Sequence, residues 1–517
     1  MALILLVHLC LSGLLITSIC ATALRAETVA DTTIAGQRYS LISAEELLNR
    51  IQRAEAPIHL RQTAVVGRLY APASGLDTVG VPLHFDEVLF LDEVTLNNVS
   101  FLGSLHCERT IFDDGLSLVG TYFKEAFTLR ESQSGKHLNL KLAHFEGDVD
   151  LSDSYFAEPS SFIEVYFSSR VRFNRTSFGA AAYFEKARFS GRTEFNDARF
   201  VGVTSFKDAI WEEDALFSGA RFRERAIFWR TRFLNEADFT SVRADGEISF
   251  NAATFAGTAK FTDFTFAQAA YFATTVFDQA IFHGSYFRKE ADFSDSEGRT
   301  LRFGSFFNRS LDLSRAIIGT LDLRPAKDAD STFAHDTRVY LDQTYFDRIL
   351  VRWAQLQGRL ASTDSTSSAA LEPAYASLRQ HFLIQGLERD AEAVHLEQLD
   401  RQRNALGPSE PKRWALELWH LSSEYGTNPL RLILLSLCSI LIFALFYRLA
   451  ATSIQPIGGE GKPTLLDCIG FSIHIFTRAG YRTWHARGKL KVLTGFEALI
   501  GWISLGLLFA LVLANLL

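Results

Sequence analysis

The sequence predicts a mainly β chain built as a β-solenoid and ending in an α-helical membrane module. Three observations carry this: a ladder of phenylalanines stepping alternately by five and six residues, a change to helical spacing after the ladder, and two long apolar runs near the C-terminus. The chain has 517 residues, is 48% hydrophobic and 21% charged, and carries a formal net charge of −7. That composition excludes a disordered chain and leaves no basic footprint for nucleic acid, so no nucleic-acid partner is expected. Five cysteines without CxxC spacing exclude a disulfide scaffold and a zinc cluster.

Residues 1–23 read as a signal peptide: an apolar run from Leu3 to Ile19 precedes Ala21-Thr22-Ala23, although no base stands before it. An uncleaved signal anchor is the alternative. Either form places the following residues outside the cytoplasm. Residues 24–84 are a lead-in and N-terminal cap.

From Phe85 to Phe277 a walk of alternating 5 and 6 residues meets 36 stations, of which 27 are among the chain's 44 phenylalanines. Phe184, Phe189, Phe195, Phe200, Phe206, Trp211, Phe217 and Phe222 are consecutive stations and are assigned to the core. A helix would turn successive stations to nearly opposite faces, and a flat strand would switch faces irregularly. A chain that turns a corner every five or six residues keeps all of them inside. After Phe277 the register slips by one, to Phe282, Phe287 and Phe293. A small residue often precedes the station by two, as in Ala187-Arg188-Phe189 and Ala198-Arg199-Phe200, so both point inward and the charge between them points out. These units resemble the pentapeptide-repeat family, whose five-residue unit is A-D/N-L-x-x with Phe often replacing Leu. The resemblance implies a right-handed four-sided β-solenoid, here over residues 85–325. The extra residue in every second unit implies about 22 residues per coil. Outside the core, residues 85–164 hold 15 acids and 5 bases, and residues 165–234 hold 8 acids and 13 bases. No catalytic constellation or cofactor motif stands along the rod, so the chain is read as a non-enzyme without cofactor or metal.

Residues 326–412 read as a helical cap and linker, with one helix from Val339 to Leu360 and a second from Tyr375 to Gln402. Residues 413–428 hold Trp414, Leu418, Trp419 and Leu421 and read as an interfacial helix with tryptophan at headgroup level. Residues 429–451 and 493–517 are transmembrane helices. Between them, 464–483 combines an apolar run too short to cross, expected to be re-entrant, with the loop Thr477-Arg478-Ala479-Gly480-Tyr481-Arg482. This order resembles the bacterial two-transmembrane potassium-channel family, in which a short pore helix and a T-x-G-Y-G-D loop precede an inner helix. Thr477, Gly480 and Tyr481 match the loop. Glu497, Gly501 and Gly506 stand on the inner helix, Glu497 and Gly501 within a matching G-F-E-A-L-I-G stretch.

Arg478 and Arg482 depart from the filter. The family has a second Thr at the place of Arg478 and the last Gly at that of Arg482; that Gly lets backbone carbonyls face the ion, whereas rings of arginine belong with anion pathways. The resemblance therefore implies an ion-channel-like pore of altered or lost potassium selectivity, formed by a homo-tetramer in membrane lipid with an inorganic ion as ligand. The alternative is a non-conducting scaffold whose solenoid binds an envelope protein while the spans anchor it. Arg448, Lys462, Arg478, Arg482, Arg487, Lys489 and Lys491 stand from the end of the first span to the second, and Lys412, Arg413 and Arg431 stand near its start. The positive-inside rule puts the loop in the cytoplasm and the solenoid on the exported side of the bacterial inner membrane. The pore loop of the resembled channels faces outward instead, and the sequence leaves that conflict open.

Overall fold

The computed structural model describes residues 31–34, 36–326, 331–363, 370–456, 461–479, 484–488 and 490–516. The expected signal segment lies outside them. Two compact units divide the chain, Met1–Ser365 and Thr366–Leu517.

In the first unit the chain turns through short strands, most of them two residues long, which pair in parallel with the same side of neighbouring coils; the first strand, Asp31–Ile34, instead pairs antiparallel with Gln37–Ser43. Two sides form 14-stranded sheets and the other two share a 22-stranded sheet, giving a β-solenoid of about 14 turns. One coil shows the pattern: Arg188–Phe189, Thr193–Glu194, Arg199–Phe200 and Thr204–Ser205 are sides one to four, and Ile210–Trp211 returns to side one. Partners stand 22 residues apart, as in Phe178↔Phe200 and Phe200↔Phe222. The interval falls to 21 at Thr265↔Tyr286 and to 20 at Tyr286↔Phe306. The change begins between Phe255 and Thr258, where the pairing with the next coil loses a residue. That deletion is the register slip seen after Phe277.

The alternation of five and six has a local cause. Each five-residue step contains a residue in the left-handed region, and these recur every 11 residues: Lys186 (φ 56°), Asp197 (φ 55°), Asp208 (φ 60°) and, farther on, Arg230 (φ 55°). The next residue points inward and is small, as Ala187, Ala198, Ala209 and Ala220 are, all fully buried. In some earlier coils it is a serine or threonine whose hydroxyl donates to a carbonyl of the preceding coil, as Ser154 does to Leu129 at 2.6 Å and Thr176 to Leu151 at 2.8 Å. The six-residue step instead brings successive backbones together. A Cβ on Gly191 would lie 2.4 Å from the carbonyl carbon of Ser169.

The aromatic core follows from the register. Rings one coil apart stack: Phe184 on Phe206 at 4.7 Å, Phe195 on Phe217 at 4.8 Å, Phe200 on Phe222 at 4.7 Å, and Trp211 between Phe189 and Phe233 at 5.1 and 4.6 Å. Neighbouring stacks meet edge to face, Phe184 against Phe195 at 5.6 Å and 89°. Both are favoured ring geometries.

The ends correct three expectations. Coils begin before residue 85, with Ile58–Arg61, Thr63–Val66 and Leu69–Tyr70 in the ladders. Their core residues are Leu60, Val65 and Leu69, and the interval to the next coil is 25, so the phenylalanine walk misses them. Helix α1 (Ala44–Arg53), N-capped by Ser43 accepting from the Glu46 amide, places Ile51 beside Leu69, Leu83 and Phe85 and so covers the open end of the first coil. At the other end, the helix expected over 339–360 is absent. Arg338–Tyr340, Tyr345–Leu350 and Leu360–Ala361 are strands, and helix is confined to the turn Trp353–Leu356. Leu341, Phe346, Val351 and Leu356 are all buried and five residues apart, so the solenoid step continues there, while Tyr345, at helical spacing from Leu341 and Ile349, is exposed.

The second unit is helical: α2 (Glu372–Ile384), α3 (Glu388–Ala405), α4 (Pro411–Ser423), α5 (Pro429–Leu449), α6 (Leu465–Thr477) and α7 (Leu490–Leu516). The single helix expected over 375–402 is two, because Gly386 takes φ 70° and the chain reverses. Tyr375 on α2 donates to Glu397 on α3 at 2.8 Å, and Leu399, Leu416 and Tyr425 join α3 to α4 and the turn after it. On α4, Trp414, Leu418 and Leu421 share one face and are 60–67% exposed. Helices α5 and α7 are long and apolar enough to cross a membrane.

Two substitutions test the corners in thermal unfolding of the purified protein. Leu142 is left-handed (φ 61°) and half exposed, so Leu142→Gly should stabilise the rod by about 1 kcal/mol. Gly191→Ala should lower the unfolding temperature, since the added methyl meets backbone.

A third prediction concerns pH. His84 is stacked between His59 at 4.5 Å and His106 at 5.1 Å on three successive coils. Burial, then the two neighbouring imidazoles, hold it below the ordinary 6.5. The unfolded chain therefore binds that proton more readily. The contribution to stability is present above about 6.5 and declines as pH falls through that value toward the lower folded one. Unfolding temperature measured against pH should drop across this window, and His84→Thr should flatten the drop.

Candidate functional site: the half-helix between two long helices

Helix α6 begins with a capping box. Thr464 accepts from the Asp467 amide, and the Asp467 carboxylate accepts from the Thr464 amide at 2.8 Å. Thirteen residues rise about 20 Å, less than the ~30 Å of a hydrocarbon core. The chain on either side of α6 is tied together: Ile454–Pro456 pairs antiparallel with Trp484–Ala486. Residues 454–456 and 484–486 therefore stand together, beside the end of α5 and the start of α7, so the chain leaves for α6 and returns to the same place. Among the described residues, α6 packs against both α5 and α7 through Phe443, Tyr447, Cys468 and Phe471, with Leu493 and Ile500 of α7 alongside.

A buried polar cluster fixes this packing. The Tyr447 hydroxyl of α5 donates to the Glu497 carboxyl of α7. Ser472 of α6 is hydrogen-bonded to the same carboxyl and to the Ile440 carbonyl of α5, the latter at 2.9 Å. All three side chains are fully buried, so each polar atom depends on the others. Farther along α7, a Cβ on Gly501 would lie 2.0 Å from the Phe476 carbonyl oxygen at the end of α6. Gly501 stands about 16 Å along α7 from Leu490, so α6 ends roughly midway along the long helix. Nothing lies within 4 Å of a Cβ built on Gly506.

Of the filter-like residues, Thr477 closes α6 and its hydroxyl donates to the Ile473 carbonyl at 2.7 Å and accepts from the Ala479 amide at 3.1 Å. Arg478 is left-handed (φ 50°) and exposed. Gly480, Tyr481 and Arg482 lie outside the described residues. The structure thus joins Glu497 and Gly501 to α6 and leaves Gly506 apart. Sequence reading missed Tyr447 and Ser472. Their signal was a polar side chain inside an otherwise apolar run, which marks a bundle-facing position.

The profile of the family described as Pentapeptide repeats (9 copies) matches residues 184–232 and 195–243. Those residues are coils of the rod, so the solenoid is built of pentapeptide repeats. No match was found among curated proteins. None was found among solved structures.

The Gly501 contact separates two similar substitutions. Gly501→Ala should displace α6 and lower the unfolding temperature of the detergent-solubilised protein by several degrees, whereas Gly506→Ala should leave it within about a degree.

Proposed function

We propose that this chain is a membrane-anchored pentapeptide-repeat protein whose C-terminal module is an ion-channel-like pore domain of altered or lost potassium selectivity. The observation that carries the reading is the return path of α6, held between α5 and α7 by the Tyr447–Ser472–Glu497 cluster and the Gly501 contact. A short helix entering a bilayer and ending midway aims its orphan carbonyls at an interior point, where they stabilise positive charge. Arg478 stands at that end and supplies a fixed cation where a potassium pathway would leave the place to the ion. Four copies would be needed to close such a pathway, so the module is read as a homo-tetramer. Exposed Trp414, Leu418 and Leu421 on α4 support a helix lying at a lipid interface. The basic residues after α5 support an inner-membrane chain with its solenoid on the exported side.

The same arginines favour a second reading, a non-conducting anchor for a solenoid that binds an envelope partner. Planar-bilayer recordings under a potassium gradient separate the two. Wild type should not reverse at the potassium equilibrium potential, and the Arg478→Thr/Arg482→Gly double substitution should raise cation current. A wild-type reversal at the potassium value would overturn the selectivity claim. Silence from both forms would overturn the pore and leave the anchor.

A further inference from the structure

We infer that side three of the rod, centred on Arg199, Arg221 and Arg243, binds a linear polyuronate, an anionic polysaccharide with a carboxylate on each sugar. The three arginines occupy the same outward position of consecutive coils, in direct register (Arg199↔Arg221, Arg221↔Arg243), and all are exposed. Coils stand about 4.8 Å apart, and like charges opposed at that distance destabilise a sheet. Many of the rod's ion pairs between coils instead join opposite charges: Asp153 with Arg175, Glu164 with Lys186, Asp208 with Arg230, and Asp295 with Arg315. Among the described residues, no ion pair involves Arg199, Arg221 or the adjacent exposed Arg223, while Arg243 meets Asp245 two residues away. Arg199 and Arg221 thus place two positive charges on successive coils with no ion-pair partner among the described residues, and Arg243 extends the column.

The same column continues into other side chains. Ser177 and then Tyr155 precede Arg199, and Thr265 and then Tyr286 follow Arg243, one per coil. Tyr155 is 40% exposed. An exposed tyrosine at one end, hydroxyls next, and guanidinium forks in the centre match a polymer that presents apolar ring faces, hydroxyls and regularly spaced carboxylates; at the other end Tyr286 is stacked on Phe306 and lies under Arg288. Each fork can hold a carboxylate through two parallel hydrogen bonds. An extended pyranose chain advances per sugar by a distance close to the coil spacing and turns alternate carboxylates to the same side, so those on one side can meet arginines two coils apart, Arg199 and Arg243, on either side of Arg221.

The test uses the full chain in detergent and affinity electrophoresis through gels containing polygalacturonate, neutral amylose or oligo-dT. Polygalacturonate should retard the protein, less so as salt rises, and amylose should not. Replacing Arg199, Arg221 and Arg243 together by Gln should weaken retardation at least tenfold, with an unfolding temperature no lower than that of wild type showing that the exposed changes leave the rod folded. Tyr155→Ala should weaken it with the salt dependence preserved. Absence of retardation, equal retardation of the triple variant, or tighter binding to oligo-dT than to polygalacturonate would each overturn the inference.

Discussion

The rod rests on one constraint: every coil must close on itself in register with the last, so that inward side chains and backbone groups repeat at strand spacing. A left-handed residue every 11 positions sets the five-residue corner. Close backbone approach, as at Gly191, marks the six-residue corner. Once both are fixed, each station falls over its counterpart one coil away, and the rings have little choice but to stack. The left-handed sites are mostly not glycine, and L-residues there cost about 1–2 kcal/mol each. Burial of one or two aromatic side chains per half-coil, at about 1.5–3 kcal/mol each, exceeds that cost. Local strain at the corners and aromatic burial at the centre are therefore two consequences of one repeat length.

That constraint also explains the exterior. Outward positions are stacked as strictly as inward ones, so each surface residue acquires a neighbour of known identity one coil away. Where those neighbours have opposite signs, ion pairs run along the rod. Where they match, the fold concentrates chemistry into a line, as with the three histidines near the first coils and the three arginines of side three.

How much of this was legible in the sequence depended on whether periodicity or pairing carried the information. The core was legible because phenylalanine at 5/6 spacing fits few backbones. Its ends were not: Leu60, Val65 and Leu69 are ordinary apolar residues at a 25-residue interval, and Leu341 to Leu356 step by five in a segment that also satisfies helical spacing. The break at Gly386 was missed because a glycine within an amphipathic pattern does not announce its φ. In the C-terminal module, the lengths of α5, α6 and α7 follow from apolar runs. The partnership of Tyr447, Ser472 and Glu497 does not, since residues 25 to 50 positions apart meet only once the helices pack. Gly480, Tyr481 and Arg482, the residues nearest to a filter, rest on sequence alone.

A pore-like arrangement requires the chain to enter and leave α6 from one side. In a variant with its native cysteines replaced, single cysteines at Thr452 and His485 would flank the segment. Labelling by a membrane-impermeant maleimide, applied to intact cells and to inverted vesicles, reads their sides. A half-helix requires both positions to label from the same side. Labelling of the two from opposite sides would make α6 a full crossing and contradict the pore-like arrangement.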